Sequence, residues 1–557
     1  MPDIAAGTGA PQPARGTRSE EAHTGGTQTD VAPADASSAE VSHTGETPAG
    51  TAQPGASEQA APGDKVTTAK VDRHLYQIDF VRLVTFAGVI LDHVVLGMVP
   101  YVAVAAQGVG LLLRYTRYCF FALTGFVLTY QYRNRDLHAP TFWRRRYKLI
   151  GLPFLAWSLF YWVNRHYQQG GVENLRDIFA SPHDMGLAAK SIVYDLITGH
   201  AAYHLYFLSV SMQIYLIFPA LLWVIKRSWG YHRYMLALSA AVQAWFMFHM
   251  VRPPHEIFTH GVLDVLWRYL GVTILPYQFF VFAGCLAAYH FGAFTEFMKR
   301  WRWPIVGASL AAIIATLIYF KSKADISLSL ADPAAGGEEM FRATNVFMFH
   351  NSFAFLGIIC ILYIGGTIWQ NRRSPGSVAD TVMRKASDRS FGIYLGHVLV
   401  LSEVMGTTRR WTDLPTSWNI VFTYALTLAF TVFLVEVLRR SPVSLVTTGR
   451  EREDWRKQDP IRSGIVGAIA VIAGGLLRVF ADTSIGSLLA AIGALLVVSA
   501  IVVLVRQMNE SREERAADRA AALAQRAPDD QMDDPVTDTP IDEAAEAHES
   551  AENSSRR

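Results

Sequence analysis

Between about residue 73 and residue 507, long apolar runs alternate with short polar stretches, and most of those stretches on one side of the alternation are rich in Arg and Lys. A helix needs about 20 residues to cross the hydrocarbon core of a bilayer. The pattern therefore predicts an all-α polytopic membrane protein. Twelve spans are expected, near 76–99, 110–131, 148–165, 204–225, 233–251, 271–292, 304–320, 346–369, 389–408, 418–438, 464–480 and 484–505. The third and the eleventh are short or interrupted. Basic clusters at 133–148, 226–233, 299–302, 372–385 and 439–462 all fall on one side, while the connections at 166–203, 252–270, 321–345, 409–417 and 481–483 fall on the other. Positively charged loops stay cytoplasmic, so both termini are expected on the cytoplasmic side of the plasma membrane.

The flanks differ from this middle. Residues 1–72 are mainly Ala, Gly, Pro, Thr, Ser and Glu, and residues 508–557 are acidic and Ala-rich. Neither stretch has the apolar side chains to offset the entropy of ordering, so both are expected to be disordered tails, with helix an alternative at the start of the second. No apolar segment of a signal peptide precedes Ile78. A transmembrane core at 73–440 and a linker with an accessory helical hairpin at 441–507 lie between the tails. Composition agrees, with 51% hydrophobic and 18% charged residues among 557. The formal net charge of +2 gives no basic excess of the kind that binds nucleic acid. Only three cysteines occur, Cys119, Cys285 and Cys360, each inside an apolar run. Their number and spacing exclude a disulfide framework, a zinc cluster and a c-type haem site, and no metal site is expected.

Chemistry concentrates in the first span, which reads YQIDFVRLVTFAGVILDHVVLGMV. Ionisable groups inside membrane spans are costly and usually functional. At about 100° per residue, the eleven-residue step from Arg82 to His93 is close to three whole turns, and Asp79 lies one turn before Arg82 on the same stripe. The rise of ~1.5 Å per residue separates Arg82 from His93 by roughly 16 Å along the axis. A cation near the cytoplasmic leaflet and a titratable imidazole deep in the membrane suit a ligand with an anionic head and a long arm. Coenzyme A is such a ligand, its phosphates at Arg82 and its thioester at His93. An imidazole needs little adjustment to serve as general base at neutral pH. Asp92 points about 100° away from His93 and steadies the imidazole only through a bridging group. The plainer reading makes Asp79 and Arg82 an interfacial ion pair and His93 a packing residue.

The order of motifs resembles acyltransferase family 3, a group of membrane-bound O-acyltransfer proteins. Arg82, ten residues and His93 resemble the family's first-helix motif. YCFFALTGFVLTY at 118–130, FWRRRYKLIGLPF at 142–154, HLYFLSVSMQIYLIFP at 204–219 and SFGIYLGHVLVL at 390–401 follow in the family's order. The resemblance covers about 73–440 and implies a ten-helix core that takes an acyl group, often acetyl, from cytoplasmic acyl-CoA. The implied acceptor is a hydroxyl on a carbohydrate, a glycolipid or a secondary metabolite, with acyl-CoA as substrate and no permanently bound cofactor. By this carry-over His93 is catalytic with Arg82 as its motif partner, and Arg145, Arg146 and Lys148 join Arg82 in holding the donor. Two departures stand out. The family's second Arg in the basic element is Lys148, with a longer step to Pro153, and Tyr206 replaces a Trp.

Asp79, His204, Tyr206, Gln213, Tyr394 and His397 are candidates for lining or supporting an acceptor cavity, or for satisfying interhelical hydrogen bonds. The last two spans lie beyond the resemblance and have small residues at spacings suited to close helix packing. A polytopic transporter of a polar solute or lipid-linked sugar would also use an intramembrane Asp79, Arg82 and His93. The two halves of the chain show no internal similarity of the kind transporter folds often carry, which favours the acyltransferase.

Overall fold

The computed structural model describes residues 74–411 and 413–526, and every regular element among them is helical. The tail expected at 1–72 lies outside the described residues. In chain order, α1 (Tyr76–Met98) precedes α2 (Val104–Leu113) and α3 (Tyr115–Tyr132), which together make one 29-residue span interrupted at Arg114. The short α4 (Ala139–Arg146) passes through a π-helical turn, Tyr147–Gly151, into α5 (Leu152–Asp177). Then come α6 (Pro182–Thr198), α7 (Tyr206–Arg227), α8 (His232–Met250) and α9 (Gly261–Arg268). Next, α10 (Gln278–Tyr289) meets α11 (Phe291–Arg300) at a bend of 98°. The core continues with α12 (Arg302–Ser329), α13 (Pro333–Ala343), α14 (Asn351–Arg372), α15 (Val378–Thr408) and α16 (Thr416–Arg440). The short α17 (Ser444–Thr448) leads to α18 (Pro460–Ala481) and α19 (Ser484–Arg526).

Nine helices among the described residues are long and apolar enough to cross a membrane, or up to ten if the bent pair counts as one span. This corrects the twelve read from the sequence. All twelve segments are helical, but α5 and α8 carry polar runs such as Asn164-Arg165-His166 and His232-Arg233, and α10 is short. The tail expected from 508 is helical at its start, and residues 527–557 lie outside the described residues. Helix α19 continues to Arg526, well past residue 508 where the sequence pattern turns polar.

Helix α1 is the inner member of the bundle. It packs against α14, α15 and α16 on one side and against α2 and α3 on the other. Phe86, Ile90 and Val94 enter a core with Leu401, Val404 and Leu434 from α15 and α16. A second core gathers Tyr118, Phe121, Phe218, Tyr277, Phe280 and Phe355, all fully buried. Apolar burial does not distinguish a helix neighbour from lipid, so close approach and dispersion hold such helices together. The contact between α3 and α10 shows this. A Cβ at Gly284 would overlap the carbonyl oxygen of Ala122, and one at Gly125 would overlap that of Val281. Gly284→Leu should therefore weaken the folded core by about 1–3 kcal/mol or more, whereas Gly307→Leu, with nothing around its Cβ position, should leave it unchanged. Thermal unfolding of the two variants in detergent, followed by size-exclusion chromatography, checks the contrast.

Candidate active site

The stripe on α1 has two ends, and each is held by a different set of neighbours. At the first, buried Asp79 accepts a hydrogen bond of 2.7 Å from Ser387 Oγ on α15 and a contact from His74. Arg82 Nη1 donates to the same Ser387 Oγ at 3.1 Å and lies 3.6 Å from Asp79 Oδ1. The plainer reading of Asp79 and Arg82 as an ion pair is thus part of the picture. Arg82 keeps about a third of its side chain exposed, so the pairing does not remove it from a ligand's reach. Arg450, in the segment after α17, lies within electrostatic range of Arg82.

At the other end, three imidazoles meet. The His93 ring stacks on His397 of α15 with centroids 5.4 Å apart and planes 15° from parallel. His397 meets His204 edge-on at 5.1 Å, and Tyr203 closes over His93 at 4.8 Å. The Tyr394 hydroxyl donates to the carbonyl of His204, and His397 Nδ1 bonds the carbonyl of Tyr394 at 2.6 Å. His93 Nδ1, His397 Nε2 and both ring nitrogens of His204 are buried without a hydrogen-bond partner. Buried polar atoms normally find partners. Four such atoms in one cluster therefore mark a place built for polar chemistry. Among the described residues, no group of three or more His, Cys, Asp or Glu is arranged to hold a metal ion.

Residues 75–436 match the model of the acyltransferase domain that defines acyltransferase family 3. The chain belongs to that family. A search of curated proteins finds no match, and neither does a search of solved structures. The match ends within α16, so α17 to α19 are additions to the acyltransferase core.

Within this acyltransferase, several predicted residues fall together and others do not. His93, His204, Tyr394 and His397 share the imidazole cluster, and Tyr206 joins its edge through Phe207 and Arg117. Asp79 belongs with Arg82 at the other end, a helix length from the acceptor-side cluster for which it was a candidate. Gln213 lies apart as well. Its Nε2 donates to Val272 O at 2.9 Å and its Oε1 accepts from Ile274 N at 3.1 Å, so it clasps the irregular backbone before α10. Arg145 and Lys148 are exposed, and Arg146 donates to Gln131 Oε1 at 2.5 Å. The longer step from this basic element to Pro153 is taken up by the π-helical turn at Tyr147–Gly151, a local insertion of the kind often found at functional sites. Pro153 itself follows directly on this turn, within continuous helical backbone from α4 into α5.

Asp92 makes no hydrogen bond to His93. It faces Arg114 and Arg117 of the broken α2–α3 span and Tyr203. Sequence reasoning missed both arginines because it treated 110–131 as one uniform span. The signal was two guanidinium groups three residues apart in an apolar run, one turn of helix. Tyr203 was missed too, since it lies in a loop before α7.

The Asp79 network gives a stability test. Asp79 is buried, serves two donors and faces the Arg82 charge, whereas Arg82 is partly solvated. Asp79→Ala should therefore cost about 1–3 kcal/mol by leaving Ser387 without its acceptor and Arg82 without its counter-charge, and Arg82→Ala should cost less. Thermal unfolding of the purified variants in detergent reads the order.

Proposed function

We propose that the protein is an acyl-CoA-dependent O-acyltransferase of the plasma membrane that moves an acyl group, acetyl in the simplest case, to a hydroxyl of a carbohydrate, glycolipid or secondary metabolite. The reading rests on one observation. A single helix carries Arg82 at its basic end and, roughly 16 Å further along, an imidazole with a buried, unpartnered nitrogen inside a cluster of three histidines. Coenzyme A phosphates bind at Arg82, with Arg450, Arg145 and Lys148 supplying further positive charge at that end. The pantetheine arm follows α1 and delivers the thioester carbonyl to His93.

There the acceptor hydroxyl attacks the carbonyl carbon while His93 takes its proton. The tetrahedral intermediate collapses, the carbon–sulfur bond breaks, and the departing thiolate recovers a proton from the imidazolium. Products are the ester and free coenzyme A, and the imidazole is restored. His397 stacks on one face of the His93 ring and Tyr203 meets it edge-on, which fixes its orientation.

Loss of a general base typically costs 10²–10⁴ in rate. His93→Gln keeps a hydrogen-bonding side chain but cannot take a proton at neutral pH. It should bind acetyl-CoA with unchanged affinity by calorimetry, yet transfer almost no label from radiolabelled acetyl-CoA into envelope or small-molecule fractions. Transfer at the wild-type rate would make His93 a packing residue. Wild-type transfer should also fall on acidification, because an imidazolium accepts no proton.

Orientation is tested separately. With the basic connections cytoplasmic, Cys placed at Glu338 should react with an impermeant maleimide in intact cells, and Cys placed at Ser374 should react only after lysis. Both positions are exposed, whereas native Cys119 and Cys285 are buried. The reverse pattern would move Arg82 to the outer side and remove the cytoplasmic donor from the scheme.

A further inference from the structure

Two guanidinium groups share the embedded site with one carboxylate. Arg114 sits at the break between α2 and α3 and donates from Nη1 to the carbonyl of Thr344, just after α13. Arg117, one turn on, lies 4.8 Å from the centre of the Tyr206 ring and 5.9 Å from that of Phe347. The hydroxyls of Tyr206 and Tyr277 are beside it. Asp92 is the carboxylate within their field, but among the described residues no ion pair joins it to either arginine. His93, Tyr118 and Tyr203, which also face this region, bring no negative charge at neutral pH.

The site therefore holds an excess positive charge at membrane depth. Such a charge is expensive unless something anionic completes it. The donor does not do so, because in the reading above its phosphates remain at Arg82, a pantetheine arm away from the thioester. Both arginines nevertheless lie within electrostatic range of His93. Tyr203, 55% exposed, borders the same cluster. A guanidinium fork is matched to carboxylate and phosphate oxygens, and a neutral sugar would leave the excess charge uncovered.

We propose that the acceptor is an anion: the molecule that brings its hydroxyl to His93 also carries a carboxylate or phosphate, which binds at Arg114 and Arg117. This rests on the acyl-transfer reading and narrows its substrate class to acidic or phosphorylated sugars. Arg114 and Arg117 are specificity-determining residues, and Asp92 offsets part of their charge without pairing with either.

The test is equilibrium binding to the full-length protein in nanodiscs, made with His93→Gln so that no transfer is needed. Probes are methyl glucoside, methyl glucuronide, glucose 6-phosphate and inorganic phosphate. Glucuronide or glucose 6-phosphate should bind at least about tenfold more tightly than the neutral glucoside. That advantage should shrink to about threefold or less in Arg117→Gln and persist in Arg462→Gln, an exposed arginine at the start of α18 paired with Asp459. Should Arg117→Gln not fold, Arg114→Gln reads the same loss. Equal binding of neutral and anionic sugars, binding of none, or an advantage that survives the arginine substitutions would overturn the proposal. Inorganic phosphate binding as tightly as the sugar phosphate would also overturn it, since the anion would then not belong to the acceptor. In a separate measurement on wild-type protein, transfer to a neutral acceptor without any anion preference would sink this proposal and leave the acyltransferase reading standing.

Discussion

A charged side chain in a bilayer must face protein, and helix α1 carries two, Asp79 and Arg82, as well as Asp92 and His93 further along. Helices α2, α3, α14, α15 and α16 surround it, and the identity of the touching residues follows from which part of the stripe they meet. Where α1 is charged, α15 offers Ser387, small enough to bond both Asp79 and Arg82. Where α1 presents an imidazole, α15 offers another imidazole, His397, parallel to it. Between these ends Phe86 and Ile90 meet apolar partners. Helix α15 is therefore a second stripe in register with the first, and the rotation of one fixes the chemistry available to the other.

Irregular backbone falls where polar groups need it. The α2–α3 span breaks at Arg114, the π-helical turn lies between the basic element and Pro153, and α10 bends at His290, whose Nε2 meets His232 Nδ1 at 2.7 Å. Non-helical backbone is tolerated at membrane depth only where protein or a polar cavity satisfies it. The irregularity at Arg114 is slight, its backbone staying right-handed helical, and it falls one turn before Arg117.

The first-span stripe was legible because helical periodicity is exact enough over eleven residues to put Arg82 and His93 on one face, and the all-helical class followed from run length. His204 and His397 were legible as polar residues in apolar segments, but their meeting with His93 was not. His204 lies in the turn before α7 and His397 on α15, and a single sequence does not specify how segments separated by some 190 residues turn toward one another. Gln213 shows the opposite failure. Its side chain was a candidate for an acceptor cavity or for hydrogen bonds between segments, and the irregular backbone at Val272 and Ile274 uses both its amide groups. The span count was overestimated for a related reason: apolar runs were long enough at α5, α8 and α10, but the adjoining polar residues and the bend after α10 determine whether a helix crosses.

The added hairpin bears on the site through α15. Residues Ile485, Leu488, Ile492, Leu496, Ala500 and Val503 of α19 recur at steps of three and four, and all are buried, against α15, α16 and α18. Ser484 Oγ donates to Glu403 O at 2.7 Å, and Ser499 Oγ donates to Arg440 O at 3.2 Å. Helix α18 packs on α19 through Gly467, Gly474, Gly486 and Gly493, whose missing side chains allow backbone contact, and leaves Ile465, Ile469 and Ile472 exposed to lipid. The hairpin is thus a brace on the outward faces of α15 and α16. At the other end of α15, Arg389 bonds Glu436 of α16 and Glu453 of the connecting segment at 2.7 and 2.6 Å. His397 lies between these two anchors, and Ser387 lies two residues before the first. Because both α1 and α15 must keep their stripes facing inward, clamping α15 at two heights sets the rotation that joins Ser387 to Asp79 and His397 to His93.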